Sequence, residues 1–354
     1  MKKSNDKDFP TVHKQKLPFY VRTIVLFLLG VISGSLLEGR FNFFEKSKLT
    51  GFGQERLAGY TFISPLLICN TPPDTSENIR ILPIKHEIER RIASLKDSDR
   101  LSRASVYFRL LGTGQWFTVH EQERFSAASL IKLPALIAGL KNQELTPSLI
   151  DKKVSFTGAT LSTGKWKQNF KPSKALETGR EYRFDELLFR SSAYSDNDAF
   201  SLLTPLIDKR LMLKTFDDLK FSRPDPRLGD AFVSVNEVAN CFRILYNATY
   251  LNEKNSEKAL DMLSKTDFDK GITRGVPFTT VVAHKFGERG FLNKHEKELH
   301  DCGIVYYPGR PYLVCIMTEG KSFEDLSDSI QDLSLIVYNG VNYHWDSKKR
   351  QIAF

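Results

Sequence analysis

Residues 125–140 read FSAASLIKLPALIAGL, with Ser129 and Lys132 three positions apart at the head of an apolar run. The run predicts a helix, and helical positions i and i+3 share a face. The Lys132 amine then lies within reach of the Ser129 hydroxyl. A serine alone is a poor nucleophile, and a neighbouring amine in an apolar setting is a base for it. Burial favours the neutral amine and lowers the lysine pKa toward a useful value. Taken alone the spacing has little specificity, because Ser-x-x-Lys recurs at Ser4–Lys7 and Ser162–Lys165.

Two downstream motifs separate Ser129 from the other two copies: Ser195-Asp196-Asn197, then Lys285-Phe286-Gly287. Ser-x-x-Lys, Ser-Asp-Asn and Lys-Thr-Gly in that order are the signature of class A β-lactamases and penicillin-binding proteins. The first two are intact and the third carries Phe for Thr. From about Pro83 to the C-terminus the chain resembles this penicillin-recognising serine hydrolase family, which includes the D,D-peptidases.

The resemblance implies an α+β fold, an antiparallel sheet flanked by helices plus an all-helical subdomain. It implies four catalytic residues, Ser129, Lys132, Ser195 and Lys285, with Ser195 relaying a proton to the leaving nitrogen. Asn197 would offer its amide to the acyl side of the substrate, and Asp196 would turn inward to hold its loop. The amide of Glu288, after Gly287, would complete an oxyanion hole with the amide of Ser129. Two donors aimed at a developing oxyanion are worth roughly 3 kcal/mol each. The family's hydroxyl after the lysine binds the substrate carboxylate. Phe286 cannot do so, which would move that task elsewhere, for example to Arg289.

The residues themselves agree with this layout. Ile84, Ile88, Ile92 and Leu95 fall at helical spacing. Residues 103–111 alternate as a strand, 112–115 turn, and 116–122 return. Residues 141–184 are mostly polar and read as loops and short helices, with Trp166 a candidate ligand contact. Helical patterns flank Ser195-Asp196-Asn197, so the triplet sits on a loop; its simplest reading is an N-cap. Residues 253–269 read as helix and 279–286 as strand. Residues 302–319 form a hairpin about Pro308-Gly309-Arg310, and Phe323 to Val337 mark a closing helix.

Residues 221–233, FSRPDPRLGDAFV, occupy the place of the class A omega loop. Those enzymes use a glutamate there to release the acyl-enzyme through a water. None is present; Asp225 and Asp230 are the loop's acids, and Asp230 reads as the cap of the next helix. Acylation remains intact in principle, and deacylation is expected to be slow.

The remainder of the chain concerns placement. The net charge is +9, but no zinc-finger, homeodomain or RNP pattern accompanies it, so nucleic acid is not expected as a partner. Residues 1–22 form a basic tail. Residues 23–39 contain the uncharged run TIVLFLLGVISGSLL, short for a full span but extendable by Tyr20 and Arg22. An uncleaved anchor is preferred over a cleaved signal peptide. Either puts the rest outside the cytoplasm: a linker over 40–82, with one apolar piece at 60–68 that packs on the domain, then a domain over 83–354. The four cysteines, Cys69, Cys241, Cys302 and Cys315, match no zinc spacing. Cys241 and Cys315 lie in apolar runs and read as buried thiols. No cofactor or metal is expected. Two functions remain open: a membrane-anchored monomeric serine hydrolase acting on a β-lactam or a peptidoglycan stem peptide, or an idle relative serving as an envelope scaffold.

Overall fold

The computed structural model describes residues 54–69, 81–158, 168–225, 227, 229–290 and 295–345. The basic tail, the apolar run at 23–37 and Trp166 lie outside them. Among the described residues no helix is long and apolar enough to cross a membrane.

The first two strands, β1 (Gln54–Arg56) and β2 (Leu66–Cys69), pair antiparallel. Between them Ile63 is buried in the core. The Tyr306 hydroxyl donates to Phe62 O at 2.9 Å, and the Glu257 carboxylate accepts the amides of Thr61, Phe62 and Ile63. This part of the linker is thus docked on the domain.

Helix α1 (Leu82–Asp97) buries Ile84, Ile88, Ile92 and Leu95, the stripe read from their spacing. The hairpin follows as β3 (Arg103–Leu110) and β4 (Trp116–Val119). Next come β5 (Phe125–Ser126), a 3-10 turn over Ala128–Ile131 and helix α2 (Lys132–Leu145). β6 (Lys153–Ser155) pairs with β7 (Glu181–Arg183), which leads into α3 (Phe184–Ala193). Helices α4 (Asn197–Leu203) and α5 (Lys209–Asp218) complete this helical part.

β8 (Phe232–Val233) pairs with β5, tying the 221–233 segment to the Ser129 turn. Ser234, not Asp230, caps α6 (Val235–Asn247), accepting from Glu237 N. The cap falls four residues later than the sequence reading because β8 has to finish first. Helix α7 (Glu253–Leu263) is followed by β9 (Val282–Gly290), β10 (Lys297–Val305), β11 (Tyr312–Gly320) and α8 (Phe323–Trp345).

The main sheet is antiparallel in the order β4-β3-β11-β10-β9. Alternate residues point to opposite faces. Val106, Phe108, Leu299, Val314 and Ile316 meet α1 and α8 on one face; Ala283, Cys302 and Cys315 join the α2–α7 core on the other. Each buried large aliphatic side chain stabilises the sheet-helix packing by roughly 1.5–3 kcal/mol. The register sets Cys302 opposite Cys315, and the two form a disulfide. The reading of Cys315 as a thiol is thereby corrected; Cys241 is the buried free thiol among the described residues.

Candidate active site

β9 is the edge strand of the sheet, and the Ser129 turn lies against it. Gly287 permits this approach. A Cβ there would stand 3.1 Å from Ala127 O and 3.3 Å from Leu130 N. The turn is held from the other side by Ala127 N, which donates to Ala231 O at 2.7 Å. Ala128, immediately before Ser129, has φ of +44°, a conformation costly for a residue with a Cβ and common at functional sites.

Ser129 is half-buried, and its hydroxyl makes no hydrogen bond with a described residue. Lys132 opens α2 and is buried. Its Nζ donates to Ser195 O and to Asn197 Oδ1, both at 2.7 Å, with Ser195 Oγ at 3.5 Å. Lys285 is fully buried, and its Nζ donates to Ser195 Oγ at 2.8 Å and to Phe286 O at 2.9 Å. Lys132 and Lys285 thus converge on the Ser195 hydroxyl. Ser195 has φ of +52°, and Asp196 caps α4 by accepting from Asp198 N and Ala199 N. That cap holds the loop, the part expected of Asp196.

Burial sets the protonation of both lysines. It holds Lys132 well below its ordinary pKa, and the charge of Lys285 depresses it further. Burial also brings Lys285 down to about 7, partly opposed by Asp301 and Asp267. A neutral Lys132 is a proton acceptor; a protonated Lys285 is a donor and a positive charge.

The residues after Lys285 divide by strand parity. Phe286 and Glu288 lie on the face opposite Lys285 and Gly287. The Phe286 ring is buried and stacks on Phe268, with centroids 4.1 Å apart and planes at 16°. It is a packing residue, which accounts for an apolar side chain at this point of the motif. Arg289 donates to Ser126 Oγ at 2.7 Å and pairs with Asp230. Its guanidinium is therefore engaged with the Ser129 turn and the 221–233 segment. Asp225, the other acid of that segment, accepts from Arg227 N and is bridged through its backbone to Asp230.

Two features were not found from the sequence. Gln168 reaches the site from the polar stretch: its Oε1 accepts from Asn197 Nδ2 at 3.2 Å, and its Nε2 lies 3.5 Å from Ser195 O. The Glu288 carboxyl, pushed up to about 7 by burial, accepts from the amides of Asn169 and Phe170. No motif marks either residue. No group of three or more metal-ligating side chains occurs among the described residues.

Comparison with known proteins identifies the family and the fold. The Beta-lactamase enzyme family matches residues 85–341. The fold is similar to that of PBP-A, with 20% identity over 72% of this chain and 96% of that one, at a TM-score of 0.60. A PBP-A mutant described as an acyl-enzyme complex with penicillin G aligns at 19% identity over 74% and 97%, with a TM-score of 0.60. A class A β-lactamase from Mycobacterium abscessus aligns at 23% identity over 72% and 99%, with a TM-score of 0.59. Comparison with curated proteins gives no match. The family match over most of the chain, on a fold that carries a buried lysine beside each of the serine motifs, makes this protein a member of the β-lactamase enzyme family, a serine hydrolase of the β-lactamase type.

Proposed function

We propose that Ser129 forms an acyl-enzyme with a β-lactam or a D-alanyl-D-alanine-like peptide, and that the adduct is released slowly. The observation that carries this reading is the burial of Lys132 three residues from Ser129, which lowers its pKa, and its link to Lys285 through Ser195. Lys132 takes the hydroxyl proton as Ser129 Oγ bonds to the carbonyl carbon. The tetrahedral oxyanion is stabilised by the amides of Ser129 and Glu288. The carbon–nitrogen bond then breaks, and Ser195 passes a proton to the nitrogen while receiving one from Lys132 or Lys285. Lys285 supplies positive charge near the substrate carboxylate.

Slow release follows from the 221–233 segment, which contains no glutamate and whose two aspartates already have partners within the fold. Labelling with a fluorescent penicillin tests the reading. The wild type is expected to label and Ser129→Ala to stay dark; labelling of that variant would refute the assignment. The alternative, an idle envelope scaffold, predicts no label on either.

The topology belongs to the same proposal. Residues 1–22 stay in the cytoplasm, residues 23–39 anchor the chain in the membrane and the domain lies outside as a monomer. The basic tail before an uncharged run supports this orientation. A reporter fused just after residue 40 should be active only outside, and activity of a cytoplasm-only reporter there would overturn it.

A further inference from the structure

The acylation steps make no use of the Glu288 side chain. Its Oε1 accepts two backbone donors, Asn169 N at 3.0 Å and Phe170 N at 2.8 Å. Its Oε2 is buried without a hydrogen-bond partner among the described residues. The Phe170 ring then sits edge-on to Phe268, Phe286 and Phe323, at centroid distances of 5.1, 6.2 and 5.7 Å. One carboxyl oxygen and three rings thus fix the backbone of residues 169–170 beside the sheet edge. Two amide donors on a single acceptor oxygen make a defined clamp.

The residue just before this clamp is Gln168. Its carboxamide oxygen takes an N–H of Asn197, while Asn197 Oδ1 accepts from Lys132. Asn197 therefore already holds an amide on the donor that the reading above gives to the substrate's acyl side. Asn197 Nδ2 carries two N–H groups and the Gln168 carboxamide oxygen takes one of them, so a ligand amide that uses this N–H has to displace the Gln168 carboxamide, and a ligand without an acyl-side amide need not.

We infer that Gln168, positioned by the clamp of Glu288 on residues 169–170, is a specificity-determining residue that disfavours ligands bearing an acyl-side amide. Gln168 touches the site; the Glu288 side chain positions it through the backbone of residues 169–170. The inference rests on the reading that Ser129 is acylated at this cleft.

The experiment compares second-order acylation rates for benzylpenicillin, which carries an acylamino group, and sulbactam, which does not. Gln168→Ala is expected to raise the benzylpenicillin-to-sulbactam ratio about tenfold, the worth of one hydrogen bond no longer displaced. Glu288→Ala shifts the ratio in the same direction. Glu288→Gln, whose carboxamide oxygen still accepts both amides, keeps the wild-type ratio. An unchanged ratio in Gln168→Ala, or Glu288→Gln behaving as Glu288→Ala, overturns the inference. Hydrogen exchange at the amides of Asn169 and Phe170 tests the clamp separately. Exchange should quicken at least about tenfold in Glu288→Ala but not in Glu288→Gln; equal exchange in all three proteins rules the clamp out. If neither lactam acylates the wild type, the Ser129 reading fails instead. The noncovalent affinities of Ser129→Ala and its Gln168→Ala double variant for the same two compounds then decide the specificity ratio.

Discussion

Lys285 Nζ donates to Ser195 Oγ across 2.8 Å, joining two motifs that lie 90 residues apart. The same oxygen is 3.5 Å from Lys132 Nζ. A hydroxyl between two amines can receive a proton from one side and give its own away. Ser195→Ala removes this relay while leaving the Asp196 cap in place. It should slow acylation by about 10²–10⁴, the usual worth of a positioned acid or base. Stopped-flow acylation with a matched circular dichroism spectrum checks this. A rate within a few-fold of wild type would remove Ser195 from the mechanism.

Lys285 should also leave a mark on stability. Its folded pKa is about 7, below the ordinary 10.5, because burial disfavours the charge. Above about 7 the folded lysine is neutral while the unfolded one still binds a proton. Stability contributed by this group therefore rises with pH from about 7 toward 10.5, and is lowest and flat below about 7. Urea denaturation at several pH values from about 7 to about 8.5 should give a slope in the wild type that exceeds that of Lys285→Met by about 1 kcal/mol per pH unit. Equal slopes would mean that Lys285 keeps its charge when buried.

Release of the acyl group is the next point. Asp230 pairs with Arg289, and Asp225 accepts from Arg227 N. Neither is free to activate water, and the segment contains no glutamate. The penicillin adduct should persist after free drug is removed, with turnover about 10²–10⁴ below that of an enzyme with a positioned base. Mass spectra collected over hours follow the adduct. Rapid recovery of unmodified protein would identify another base, and Asp225→Asn would be the first variant to make.

Gly303 lies opposite His284 on the neighbouring strand, where the buried imidazole pairs with Asp301. A Cβ at Gly303 would fall 2.4 Å from Ala283 O and from His284 Cβ. Backbone cannot yield cheaply there. Gly303→Ala should destabilise the fold by about 2–4 kcal/mol, read as a lowered Tm. A loss below about 1 kcal/mol would show that the sheet absorbs the extra carbon.

Much of this could be read from the chain because it is written in local spacing. The Ile84–Leu95 stripe, the hairpins and the helix after Ser129 follow from periodicity. The two intact motifs and Lys285 follow from residue type and order. The burial of Phe286 against Phe268 was not readable, because strand parity sets its side chain opposite that of Lys285 without saying what covers that face. The disulfide was nearly readable too, because Cys302 and Cys315 are equidistant from the Pro308–Gly309 turn; only the exact register was missing. Gln168 and Glu288 were not readable. Their roles depend on backbone amides meeting a carboxyl 118 residues away, and no pattern in either segment announces that contact. Asp230 was misassigned because a cap and an ion-pair partner look alike until the strand between them is known.

The most direct measurement is intact mass after mixing the protein with benzylpenicillin, followed by peptide mapping. A single adduct of the drug's full mass should map to Ser129 and be absent from Ser129→Ala. No adduct on the wild type, or an adduct that persists in Ser129→Ala, would contradict the account.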